Sequence, residues 1–481
     1  MPAVFNLSED ILEYLFSFSE VTPLSISHVC RCWRRVALAS TPLWSTLIFN
    51  DFEYPIYSSQ DRISQCLERS RTHPLTLDFK FGGAEQGEAF VEVLNLVLRH
   101  STRWRYLYIS TSNYSSIAVL FYKLQHLDVP ILEHLSVNFY PEDGTEAESD
   151  LPSRKRDTLE PSILLGGAPS LKAFRAFGVV ADSFQPDLSN ITQLFIRDQS
   201  PDTFSPKQLR QILSLPNLEC LSLSGWLILA LNVDQFLLER TAKDSEPITM
   251  PHLRHLHYQI FHQDAVSILF SQIIAPNLLS LFLVDVVVPD KVDEFAARSF
   301  PNVIQLLFLG CDRKTPDNIP SDYVQFLSLF PNARHLMLVA GSFSPLVMPF
   351  LVGMGEVKLG EIVPNPRWNT STYPESLSSL LTFAYKGGSE SDEMWIRDFA
   401  GKWRPGLIIN PTPAEREIIE MTQRLPELGW YHDFTWPPEP SYVNKRLCTR
   451  GDATRSGSGI CGFASWERKS VETAKKRFDF A

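Results

Sequence analysis

Apolar positions along this chain recur in one short pattern, apolar-x-x-apolar-x-apolar. The pattern is anchored at Trp104, Leu132, Leu171, Ile191, Leu218, Leu253, Leu278, Val303 and Ala333, as in "LPNLECLSL", "APNLLSLFL" and "FPNVIQLLF". The alternation after each anchor predicts a strand with its apolar side chains on one face. At seven anchors a proline stands two residues earlier (130, 169, 216, 251, 276, 301 and 331). There it ends a preceding helix and biases the chain toward extended backbone. Helical spacing lies between the strands. It is carried by Leu209, Ile212 and Leu213 after Pro206, by Val266, Leu269, Phe270 and Ile273, and by Tyr323, Phe326, Leu327 and Phe330.

Successive anchors are 20 to 39 residues apart. Strand, helix and strand at that spacing imply parallel strands joined by crossover helices. Stacked units of this kind form a solenoid, in which each repeat buries its apolar face only against its neighbours. An open α/β sheet of ordinary topology is the competing architecture. On the solenoid reading, the side chains between the inward positions form a recognition surface of aromatic and neutral hydrogen-bonding groups. Its candidate substrate-binding residues are Tyr106, Tyr108, His134, Arg175, Phe195, His255, His257, Phe282 and His335. His255 and His257, two apart on one strand, are a weak metal pair with no acidic third ligand.

The first fifty residues follow a different period. Ser8, Glu9 and Asp10 suit a helix start, with a capping oxygen and acids at the positive end of the dipole. Ile11, Leu12, Leu15 and Phe16 then share a face. Thr22-Pro23 starts a second helix, with Ile26, Val29, Cys30, Trp33, Val36 and Ala37 as one stripe, and Thr41-Pro42 opens a short turn carrying Leu43 and Trp44. Cys30 and Cys32 lie about 200° apart on a helix, which does not suit a shared metal, and no partner pair follows at finger spacing. Arg31, Arg34 and Arg35 form a solvated face. A module of this size cannot bury two tryptophans and all its aliphatic residues by itself, so the surplus must meet later parts of this chain or another protein.

Composition narrows the classes. The chain has 481 residues, 44% hydrophobic, with a net charge of −11. That content supports a large core, and the charge argues against a general nucleic-acid surface. The charge is uneven: residues 441–481 hold nine Lys or Arg against four Asp or Glu, a balance of +5. Seven scattered cysteines read as reduced thiols, which places the chain in the cytoplasm or nucleus. The acidic N-terminus is no signal peptide, and no apolar run suits a membrane span. Residues 141–162 and 387–393 read as charged loops. Thr412 to Leu425 reads as a capping helix with Thr412 and Glu415 in a capping box. The tail contains Gly457-x-Gly459-x-x-Gly462 with no strand before it, a chance match to the dinucleotide fingerprint. No catalytic or cofactor motif is found, so no enzyme activity and no cofactor are expected.

"LSEDILEYLFSFSEVTPLSISHVCRCWRRVALASTPLW" resembles an F-box. Leu7, Glu9, Ile11, Leu12, Leu15, Val29, Cys30, Trp33, Leu43 and Trp44 match the family pattern, while Ser8 stands where Pro is usual and the first interhelical link is short. The region that follows resembles leucine-rich repeats loosely, with Cys311 alone at their Asn or Cys position. The resemblance implies a three-helix F-box at 1–50, a helix and strand connector at 51–100, a leucine-rich-repeat-like α/β solenoid at 101–435 and a basic tail at 436–481. It also implies a Skp-type adaptor on Leu7, Ile11, Leu12, Leu15, Val29, Trp33, Leu43 and Trp44, a cullin behind that adaptor, and a substrate protein on the repeats. A scaffold whose first helices only cap the solenoid is the alternative.

Overall fold

Six of the turns that precede a strand are fixed by a proline. Ala275-Pro276-Asn277-Leu278 closes with the Leu278 N–H on the Ala275 carbonyl at 3.1 Å. The same i to i+3 bond closes the turns at Val129–Leu132, Ala168–Leu171, Met250–Leu253, Phe300–Val303 and Phe330–Ala333. Proline thus sits at the second turn position, where its fixed φ is favourable. The physical role of these prolines is to start a turn, more than to stop a helix.

The computed structural model of the chain describes residues 7–17, 23–50, 56–81, 87–112, 114–139, 160–178, 185–197, 206–225, 247–260, 265–284, 300–309, 326, 329–339, 357–358, 361–362, 382–386 and 408–409. All belong to one unit, Met1–Asn410. Residues 141–159 of the loop read at 141–162, the loop at 387–393, the capping helix at 412–425 and the tail lie outside the described residues, as does most of the helix read at 321–330.

The fold is mixed α/β. Helices α1 (Glu9–Ser17), α2 (Pro23–Ser27) and α3 (Arg31–Ala39) lead through a 3-10 turn at Thr41–Trp44 into β1 (Thr46–Asn50). Helix α4 (Ile56–Arg69), β2 (Leu75–Phe81), α5 (Gly87–Leu98), β3 (Trp104–Thr111), α6 (Tyr114–Leu124) and β4 (His134–Phe139) follow. Then come β5 (Ala173–Phe177), β6 (Gln193–Arg197), α7 (Pro206–Leu213), β7 (Cys220–Gly225), the short β8 (Ile248–Thr249) and β9 (His255–Ile260). The chain continues with α8 (Ala265–Gln272), β10 (Ile273–Ile274), β11 (Ser280–Val284), β12 (Gln305–Leu309), β13 (His335–Val339), β14 (Val357–Lys358), β15 (Glu361–Ile362), β16 (Thr382–Lys386) and β17 (Ile408–Ile409).

Thirteen strands form one sheet in the order β1-β2-β3-β4-β5-β6-β7-β9-β11-β12-β13-β16-β17. Every pair in it is parallel. The strands therefore follow chain order without reversal, unlike a doubly wound sheet. The segment read as a connector, 51–100, supplies β2 to this sheet.

Register sorts the side chains into two faces. Leu47, Leu77, Leu107, Leu135, Phe174, Leu194, Leu221, Leu256, Leu281, Leu306 and Leu336 align across the sheet. They join one core with Ile63 and Leu67 of α4, Val93 and Val97 of α5, Leu120 of α6, Ile212 of α7 and Leu269 of α8. All these helices cover the same face, so the polar positions of every strand share the other.

Turns are stapled to their neighbours. The side-chain amides of Asn277, Asn302 and Asn332 donate to the carbonyls of Pro251, Pro276 and Pro301 at 2.7, 2.7 and 2.6 Å. Each staple spans from one turn to the equivalent proline of the preceding turn. Gly178, at the end of β5, has φ +66, and a Cβ there would lie 2.2 Å from the Phe139 carbonyl oxygen. Only glycine fits both conditions.

Candidate partner-binding surfaces

The helical module buries a small core of its own: Leu12, Phe16, Ile26, Val36, Ala37, Leu43 and Trp44, with Leu7, Cys32, Trp33 and Cys66 packed against it. The stripe read as one helix over Ile26 to Ala37 is broken at residues 28–30. Helix α2 ends at Ser27, and Cys30 is the extended N-cap of α3, its Sγ accepting the Trp33 N–H at 3.4 Å. Cys30 is thus a capping group, where the stripe placed it as a small core residue. The Nε–H of Arg34 donates to the Ser27 carbonyl at 2.9 Å, closing the break. Arg35 pairs with Glu9, joining α3 to the start of α1. The Ser40 hydroxyl donates to Glu13 at 2.6 Å.

This core divides the eight adaptor candidates. Leu12, Leu43 and Trp44 are buried inside the module, so they support its surface and form none of it. Leu7 and Trp33 are half-buried, and Trp33 packs edge-on to Phe16 at 5.0 Å. Ile11, Leu15 and Val29 are 48%, 49% and 60% exposed. Tyr14, Leu24 and Leu38, which sequence reading did not select, are exposed as well. Their signal was helical phase: Tyr14 follows Ile11 by three residues, and such pairs share a helix face.

Trp44 has a further role. Trp44, Leu47 and Phe49 repeat the spacing of Trp104, Leu107 and Ile109. The indole N–H of Trp44 donates to the Ala37 carbonyl at 2.7 Å, and that of Trp104 donates to Val97 at 3.1 Å, seven residues back in both cases. Trp44 is the anchor of the first strand. The Arg69 guanidinium lies 4.4 Å from its ring centroid.

The second surface is the polar face of the sheet. Register places Tyr106, His134, Ala173, Gln193, Cys220, His255, Ser280, Gln305 and His335 in one row. The parallel row reads Asp78, Tyr108, Ser136, Arg175, Phe195, Ser222, His257, Phe282 and Leu307. All nine substrate candidates therefore share a face. They are recessed, however: Tyr106, His134, Phe282 and His335 are buried and the other five half-buried. Bulky side chains in register on strands about 4.8 Å apart screen one another.

Burial sets the chemistry of this face. It holds His134 neutral down to about 3, helped by Arg175. His257 is lowered to about 3 by burial and then Arg197, and His255 to about 4 by burial and then Arg254. His255 and His257 turn to opposite neighbours. His255 Nδ1 is 3.0 Å from Ser280 Oγ, and His257 Nδ1 is 2.6 Å from Ser222 Oγ. That divergence does not suit a shared metal, and no group of three potential ligands occurs among the described residues. His257 stacks on Phe282 at 4.5 Å, and Tyr108 lies 5.0 Å from the His134 ring. Burial pushes the Cys220 thiol up to about 12, with Glu219 adding to the shift, so it is no nucleophile at neutral pH.

Ser136 Oγ, His257 Nε2 and Gln305 Oε1 are buried without a hydrogen-bond partner. Arg175 lies over the Phe195 ring at 4.7 Å and Arg197 over Phe177 at 5.0 Å. Such a face can bind through aromatic contact and hydrogen bonds, with two fixed positive charges. Among the described residues no helix is long and apolar enough to cross a membrane. No protein-family model matches this chain, and no curated protein matches it.

Proposed function

We propose that this chain is the substrate-recognition subunit of an SCF-type ubiquitin ligase. In this reading the three-helix module is an F-box that binds a Skp-type adaptor and, through it, a cullin. The parallel sheet with helices on one face is a leucine-rich-repeat-like solenoid that holds a substrate protein. The chain performs no chemistry. It raises the effective concentration of a substrate lysine beside the ubiquitin-loading enzyme.

One observation carries the reading. Ile11, Leu15 and Val29 stay about half exposed or more on a module whose own core is already filled. Apolar side chains grouped on a small surface mark a docking site. The test is co-expression with a Skp-type adaptor and recovery on a tag. Retention that is lost in Ile11→Asp and Leu15→Asp, with unchanged melting, supports the reading; retention unaffected by both refutes the assigned surface.

A second reading has its own support. Cys66 of α4 packs against both cores, and Arg69 covers Trp44, so the module also closes the first edge of the sheet. A non-ligase scaffold would use the helices only in that way. Failure of any adaptor to co-purify, with the chain folded, favours it.

A further inference from the structure

Arginines crowd two adjacent turns. Residues 69–73, between α4 and β2, and residues 99–105, entering β3, hold Arg69, Arg71, Arg99, Arg103 and Arg105 with His73 and His100, and no Asp or Glu. β2 and β3 are paired, so the two turns lie side by side. The whole chain carries −11. Such a cluster is a local exception on an acidic chain, and a local positive field attracts anionic groups. Carboxylates border the strip without filling it. Glu133 pairs with Arg105 at 3.0 Å. Glu68 is exposed at the end of α4, and Asp128 is exposed on the turn that follows β3 and α6.

Three of the arginines are engaged within the fold. Arg69 lies over the Trp44 ring, and Arg105 meets Glu133. Arg103 reaches from one turn to the other. Its Nε and Nη2 donate to the His73 carbonyl at 3.1 and 2.9 Å, and Nη2 also donates to Ser70 Oγ at 2.7 Å. That fastens both turns into one surface, which lowers the ordering cost of binding. Arg71 and Arg99 are left. Both are exposed, and among the described residues neither side chain makes a hydrogen bond or ion pair.

Arg71 also stands where an arginine is unexpected. Its φ is +49, the left-handed position just past a helix end, where glycine or asparagine is usual. Its side chain is exposed, so the core has no use for its bulk. A helix dipole favours a cation near each helix end, yet a residue in ordinary backbone conformation would serve for that. What remains is its charge, held in solvent one turn away from Arg99. His100 registers the same field: its pKa is lowered by burial first, then by Arg103 and Arg99.

The arrangement selects among anions. A single phosphate is best held by donors that converge on one group. Here the two available guanidinium groups stand on separate turns, with Arg103 turned onto the backbone between those turns. Carboxylates spaced along a polypeptide can meet such a row one at a time. Thr72 and Thr102, exposed on the same turns, add hydroxyl donors. We propose that the turns before β2 and β3 form a docking strip for an acidic polypeptide segment of a partner protein, with its carboxylates on Arg71 and Arg99. The strip uses none of the adaptor or substrate candidates, so the proposal stands apart from the receptor reading.

The test uses the full chain and a fluorescein-labelled oligoglutamate of about eight residues, several strand spacings long when extended. Anisotropy should show binding that weakens as salt rises, because screening acts over about 10 Å at 0.1 M. Arg99→Gln should weaken binding about two- to fivefold, the scale of one exposed ion pair. Arg71→Gly should do the same while keeping or raising the melting temperature, because glycine suits the positive φ. A merely structural Arg71 would show the reverse, a lower melting temperature with binding unchanged. Arg71→Glu combined with Arg99→Glu should abolish binding in a chain that still melts cooperatively. Arg254→Gln, exposed on the turn before β9, should change nothing. No binding by wild type, or full binding by the folded double variant, overturns the proposal. So does binding of a phosphoserine peptide when oligoglutamate fails. An equal loss in Arg254→Gln also overturns it, since the probe would then be following charge anywhere on the surface.

Discussion

Two tryptophans show how differently the two ends of the described chain use one device. Trp44 and Trp104 each follow a helix, each open a strand, and each return an indole N–H to a carbonyl seven residues back. Around Trp104 the surroundings are complete: it joins a continuous core fed by strands and helices on both sides. Around Trp44 they are not. Its cluster has seven buried members, and Ile11, Tyr14, Leu15, Leu24, Val29 and Leu38 remain exposed around it. The sheet satisfies its apolar residues by repetition, because each unit covers the next. The helical module packs beside β1, the outermost strand of the sheet among the described residues.

This comparison can be broken at its strongest point first. Trp104→Ala removes a fully buried ring and should destabilise the fold by about 3–5 kcal/mol, read as a large fall in melting temperature and soluble yield. Gly178→Ala forces a side chain onto a left-handed φ and against the Phe139 carbonyl, costing about 1–3 kcal/mol. A melting temperature unchanged in that variant would refute the close approach of β4 and β5.

Acid should act on the sheet selectively. His134 and His257 have folded values near 3, below the ordinary 6.5, so the unfolded chain binds more protons between those limits. Their stabilising contribution is complete above about 6.5 and is lost as pH falls toward 3. Melting temperature measured from pH 8 downward should drop through this window, and His134→Gln should flatten the slope. Smaller still is Asn302→Ala, which breaks one exposed staple and should cost about 0.5–1.5 kcal/mol. Last is Ile11→Asp, an exposed site where stability should stay within about 0.5 kcal/mol. On the proposed receptor reading, adaptor retention should nevertheless disappear in that variant. Equal losses of stability for Ile11→Asp and Trp104→Ala would erase the distinction between the two regions.

Eight of the nine anchors read from the sequence stand two residues before a strand and Trp104 opens one, since the i, i+3, i+5 spacing is what a turn entering a parallel strand requires. Four strands of the main sheet, β1, β2, β16 and β17, lie outside these anchors, although the F-box resemblance implied a strand within 51–100. β2 has Leu75, Leu77 and Phe79 but polar Thr72 at the anchor position. β1 fits the spacing through Trp44, whose place in the F-box resemblance drew attention elsewhere. The break between α2 and α3 was also illegible, because Val29 and Cys30 keep helical phase while a sulfur cap ends it. The staples were written as the recurring Pro-Asn pairs, yet their partner lies a full repeat away, beyond any local signal.

Among the candidate binding residues, the sequence by itself determined the face. Alternation on a strand is strict, so Tyr108, Arg175, Phe195 and His257 had to share a side once the leucines were placed inward. What it left open was depth and pairing. Whether Ile11 or Leu12 points outward differs by one residue of helix rotation, which only packing against α3 settles. Whether a histidine is exposed or held neutral depends on the bulk of its neighbours on adjacent strands, 25 to 39 residues away in the chain. Periodicity is a local property of the backbone and can be read along the chain. Burial and partner choice are sums over residues that meet only when the sheet closes.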